Sequence, residues 1–120
     1  MDRPIWVTNE QEWLTNCREI VRRARDLVEG RVNVIESARA LSSLSFRVRA
    51  ERDPDFLRFA AIHSESDALP VGSERDNWSR SALEREDAKI VTFEERRRDQ
   101  AVESAKRLIE KYAERQRGTE

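Results

Sequence analysis

Apolar residues at Trp13, Leu14, Cys17, Ile20, Val21, Ala24, Leu27 and Val28 repeat at the three-and-four spacing of one helix face. Thr8 with Gln11, or Asn9 with Glu12, has the spacing of a capping pair at the start of this helix. Gly30 supplies its stop, because glycine enters the left-handed conformation that other residues resist. A second stripe, Val34, Ile35, Ala38, Leu41, Leu44, Ser45 and Val48, predicts a helix over about residues 32 to 50. So short a punctuation between the two favours an antiparallel hairpin.

Asp53 before Pro54 has the order of an N-cap and a first helical position, where proline has no N–H to waste. Phe56, Leu57, Phe59, Ala60 and Ile62 then predict a short helix that buries two aromatics. Periodicity stops near His63. Residues 63 to 78 are polar and carry Pro70 and Gly72, so they are expected to form a long central loop. Helical sequence resumes at Trp78 and Ser79, with Ala82, Leu83 and Ile90 apolar. Thr92 with Glu95 has capping spacing, so a break near Val91 is expected, with one continuous helix as the alternative. Phe93, Arg97, Ala101, Val102, Ala105, Leu108, Ile109 and Tyr112 line the last helix, and residues 116 to 120 are expected to fray. Nothing has the alternation of a strand. The expected fold is all-α: one domain over residues 1–120, a bundle of about four to five helices.

Composition adds one unusual feature. Charged residues make up 39% of the chain, yet 23 basic and 24 acidic residues leave a net charge of −1. With no basic surplus, nucleic acid is not an expected partner. No stretch is apolar for long enough to span a bilayer, and the N-terminus lacks a signal-peptide pattern. A cytoplasmic protein without membrane contact is therefore expected. Cys17 is the only cysteine and lies on an apolar stripe, which suits a buried small hydrophobe better than a reactive thiol.

Few residues suggest catalysis. His63, Glu65 and Asp67 alternate within HSESD and are the best candidates for a small hydrolase. Alternating ligands can also gather a hard cation, but the segment lacks the ligand number and glycine placement of a calcium loop. No phosphate-binding glycine loop, CxxC pair or HExxH motif is present, so neither metal nor cofactor is expected. Arg96, Arg97 and Arg98 form the one basic run, diluted by Glu94, Glu95 and Asp99, which suits a solvated helix face.

The central segment is electrically lopsided. Glu65, Asp67, Glu74 and Asp76 face only Arg75, and Trp78 closes the stretch. A compact anionic surface of this kind steers and binds a cationic protein partner. Asp53 and Asp55 would add to it if the short helix packs alongside. The candidate partner-binding residues are therefore Glu65, Asp67, Glu74, Arg75, Asp76 and Trp78.

The run DPDFLRFAAIHSESDALPVG, with Arg75 and Trp78 beyond it, resembles a family of small helical bacterial proteins. They share the signature DPDF…F..I.SE.D.LP.G..R..W. Such proteins are similar in size and kind to the immunity proteins of contact-dependent inhibition and related polymorphic toxin systems. His63 stands where the family's pattern often has an acid, which argues further against a metal site. The resemblance implies no enzyme activity and no cofactor. It implies instead a partner, a cognate toxin domain such as a nuclease, neutralised by occlusion. The other readings are the small hydrolase and a non-catalytic helical structural subunit.

Overall fold

The computed structural model describes residues 6–67 and 79–118, with side chains at all of these except Ala82 and residues 114–118. Four helices account for most of them. Helix α1 (Glu10–Val28) starts at Asn9, whose side chain accepts the Glu12 N–H, so Asn9 rather than Thr8 is the cap. Helix α2 (Val34–Arg47) is capped likewise by Asn33 and is shorter at both ends than the expected residues 32 to 50. Helix α3 (Pro54–Ser66) begins at Asp53, with Pro54 in the first turn as expected. Helix α4 (Arg80–Gly118) is continuous for 39 residues. No strand occurs among the described residues.

Two expectations fail. The first is the break near Val91. Thr92 does not cap a new helix; its hydroxyl donates to the Ala88 carbonyl, one turn back, a bond compatible with a helix interior. The second is the start of the central loop. Helix α3 runs through His63, Ser64, Glu65 and Ser66, because Phe59, Ile62 and Ser66 continue a buried stripe at helical spacing. A polar residue, Ser66, completes that stripe, which is why apolar periodicity missed it; its hydroxyl donates to the His63 carbonyl.

The helices alternate in direction. Arg98 of α4 donates to the Leu27 carbonyl near the end of α1, and Glu94 meets the start of α2. Helix α3 begins beside Lys111 and Arg107 and ends beside Arg97, antiparallel to α4. Trp13, Cys17, Ile20, Ala24 and Leu27 of α1 meet Leu41 of α2, Phe56 and Phe59 of α3, and Ala101, Ala105, Leu108 and Tyr112 of α4. Each fully buried large side chain contributes about 1.5–3 kcal/mol relative to exposure. Phe56 and Tyr112 meet edge to face at 5.9 Å.

The molecule is long, 53 × 25 × 22 Å, with a radius of gyration of 16.0 Å. A compact chain of this length would have about 14 Å. Helix α4 is the cause: at 1.5 Å per residue it spans about 58 Å, about twice the length of any other helix. None of its described residues between Arg80 and Gln100 is buried, whereas Ala101, Ser104, Ala105, Leu108 and Tyr112 are. Residues 80–92 thus form an overhang of about 20 Å of helix in which no described side chain is buried, although Leu83, Glu86, Asp87 and Ile90 are partly covered.

Candidate partner-binding surface and an arginine–tryptophan cleft

A seam of polar contacts fastens α3 to α4. From one end to the other, Asp53 pairs with Lys111 and Asp55 with Arg107 at 2.8 Å. Next, Arg58 donates to the Gln100 carbonyl and the Ser104 hydroxyl, and finally Glu65 pairs with Arg97. Burial opposes the charge on Asp53, but the Lys111 ammonium and the backbone N–H groups of Asp55 and Phe56 outweigh it. Together they hold the carboxyl below its ordinary value. Glu103 and then Asp55 raise Arg107, and Arg107 lowers Glu103 in return.

This seam alters the electrostatics expected from the sequence. Asp53 and Asp55 do not extend an anionic surface, because each is neutralised by a cation of α4. Glu65 sits on α3, not in a loop, and its charge is shared with Arg97. Asp67 follows the last helical residue, is exposed, and donates its N–H to the Ser64 carbonyl. Glu74, Arg75, Asp76 and Trp78 lie outside the described residues. The basic run also divides: Arg97 faces Glu65, Arg98 reaches Leu27, and Arg96 is exposed.

His63, Glu65 and Asp67 are not gathered into a site. His63 and Glu65 are separated by about 200° around the helix. The Nδ1 of His63 is buried without a hydrogen-bond partner, and Glu65 is occupied by Arg97. Among the described residues no group of three or more histidine, cysteine, aspartate or glutamate side chains is placed to hold a metal ion. No helix there is long and apolar enough to cross a membrane.

Beyond the seam, the overhang of α4 carries mixed chemistry. Val91 is 55% exposed, Leu83 and Ile90 are half-buried, and Glu84, Arg85 and Lys89 are exposed. Leu83, Asp87, Ile90, Glu94 and Arg97 continue the stripe that buries Ala101, Ala105, Leu108 and Tyr112 further along. That face is partly covered in the overhang: Leu83, Glu86, Asp87 and Ile90 are neither buried nor fully exposed.

At the opposite end lies a cleft of about 300 Å³ lined by Trp6, Val7, Thr8, Asn9, Glu12, Trp13, Asn16, Arg47 and Arg49. Its wall contains an unusual turn. Helix α1 ends with Gly30 at φ 76°, the Gly30 N–H donating to Leu27 and the Arg31 N–H to Asp26. Helix α2 ends with the same pair of bonds, Arg49 to Phe46 and Ala50 to Ser45. Here, however, the left-handed position belongs to Arg49, at φ 52°. Both are the Schellman ending, in which glycine is the usual occupant. The Arg49 guanidinium stacks over Trp6, 5.0 Å from the ring centroid. Trp13 is 3% exposed, and its indole Nε1 has no hydrogen-bond partner.

Sequence reasoning assigned Trp13 correctly to the core but missed this cleft. The available signal was an arginine just past the end of an apolar stripe, where Gly30 stands after the first helix. Comparison with family models, with curated proteins and with solved structures found no match.

Proposed function

We propose that this chain is a binding protein of the immunity type, which neutralises a cognate toxin domain by covering its substrate-binding surface. The observation that carries the reading is the overhang of α4. A helical bundle of this size has no structural need of about 20 Å of helix beyond its core. Such an extension enlarges the surface available to a partner, and a stable protein contact needs about 800 Å² from each side. Exposed Val91 and half-buried Leu83 and Ile90 supply the apolar anchors that interfaces place near their centre.

One acidic candidate, Asp67, is described at the same end. Asp67 leaves α3 beside the base of the overhang, and Glu74, Arg75, Asp76 and Trp78 follow before α4 begins. Glu65 serves the seam with Arg97, so its role at an interface is to hold α3 in place. Acidic groups here steer a basic nuclease surface, and occlusion then needs affinity and no chemistry. Immunity also accords with the DPDF…SE.D.LP.G..R..W resemblance.

Co-expression provides the test. The probe is the toxin domain that the proposal expects at the C-terminus of a large secreted protein encoded beside this chain. The proposal expects a stable one-to-one complex and rescue of cells that make the domain. Failure to bind, together with killing of cells that contain both proteins, would remove it.

A further inference from the structure

The cleft at the far end of the bundle has features that the partner-binding reading does not use. We propose that it binds a monocarboxylate carried on a compact apolar body, with Arg49 and Arg47 holding the carboxylate.

The two helix endings give an internal comparison. At the end of α1, Gly30 makes the turn; at the end of α2, the same turn and the same two backbone bonds are made with Arg49. A left-handed arginine is disfavoured relative to glycine, because its Cβ crowds the following carbonyl. The turn alone therefore gives no reason for arginine. Strain of this kind collects at ligand sites, where a side chain must stand in one place.

The placement of that side chain is specific. Trp6 supports the Arg49 guanidinium from one face, and among the described residues no carboxylate pairs with Arg49 or Arg47. A guanidinium carries its N–H groups in a planar fork that can make two parallel bonds to one carboxylate. Trp13 lines the same cleft, and its indole Nε1–H, which lacks an acceptor, is closed off from solvent beside it.

Charge and size narrow the class. Among the described lining residues, Arg47 and Arg49 against Glu12 give a net charge of +1, which matches a singly charged carboxylate better than a doubly charged phosphate. A volume of about 300 Å³ is at the small end of ligand sites. Val7, Trp6 and Trp13 offer an apolar seat for a ring or a branched chain.

The experiment is a titration followed by the indole N–H signals in proton–nitrogen correlation spectra. Trp6→Phe and Trp78→Phe variants identify the Trp13 signal by elimination. Phenylacetate is the probe, benzyl alcohol its uncharged analogue, and inorganic phosphate the competing anion. Phenylacetate should move the Trp13 signal saturably, while benzyl alcohol and phosphate should not. Arg49→Gly should keep its helical circular dichroism, since Gly30 makes the same turn, and should lose roughly tenfold or more in affinity. Arg49→Lys, which keeps the charge without the planar fork, should also lose affinity if the glycine variant does not fold. N-acetyl-glycyl-phenylalanine distinguishes the source: binding extends the site to a peptide terminus, and exclusion restricts it to small acids. The proposal is overturned by no saturable shift, by equal shifts with benzyl alcohol or phosphate, or by unchanged affinity in both Arg49 variants.

Discussion

Glu94 of α4 closes the start of α2: its two carboxylate oxygens accept the backbone N–H groups of Val34 at 2.7 Å and Ile35 at 2.9 Å. With Asn33 taking the Glu36 N–H, the first turn of α2 is satisfied by two residues about 60 positions apart in sequence. A carboxylate at a helix N-terminus also meets the positive end of the helix dipole. Glu94→Ala should therefore lower stability by about 1–3 kcal/mol, and Glu94→Gln by less. Urea denaturation measures this, and hydrogen exchange at Val34 and Ile35 should quicken in the alanine variant. Unchanged exchange would assign the start of α2 to Asn33 alone.

Asp53 gives a pH signature. Its folded carboxyl lies below the ordinary value of 3.8, so its stabilisation is complete above that value. It is lost as the pH falls through the lower folded value. Asp53→Asn keeps a helix cap but gives up the ion pair with Lys111, which is partly exposed. Near neutral pH the variant should be less stable by roughly 1 kcal/mol, a gap that should close at acid pH. Chemical denaturation of both proteins from about pH 7 downwards measures it. A constant gap would assign the loss to something other than titration.

Cys17 is 0% exposed among Trp13, Ile20 and Ala24. A thiol reagent should label it only as fast as the protein opens, and denaturant should make labelling rapid. Rapid labelling of the folded protein would place Cys17 at the surface.

Much of the fold was legible because its signals are local. Asn9, Gly30 and the Asp53–Pro54 pair act within a turn of themselves, and the apolar stripes of α1 and α2 name their own buried faces. The errors arose where a polar residue does an apolar residue's job or a partner lies far along the chain. Ser66 ends the buried stripe of α3 without looking apolar. Glu94 resembles one more surface acid until α2 arrives above it. Asp53, Asp55 and Glu65 resemble a negative patch until α4 brings Lys111, Arg107 and Arg97 alongside. The cleft was hidden for a related reason: the backbone angle of Arg49 and its contact with Trp6 arise only in the folded chain.

The most direct test of the proposed partner recognition at the overhang end is the association rate with the toxin domain proposed as its partner. The variant to use reverses Asp67, Glu74 and Asp76 to lysine and leaves Glu65 to its pairing with Arg97. Substitution at exposed Asp67 should cost within about 0.5 kcal/mol, and thermal unfolding of the triple variant checks that the fold survives. Glu51→Lys, exposed at the opposite end of the bundle, serves as the control. The triple variant should associate at least about tenfold more slowly, and added salt should slow the wild type but not the variant. The control should match the wild type in both respects. Normal association and an unchanged salt dependence in the triple variant would contradict recognition through this end of the molecule.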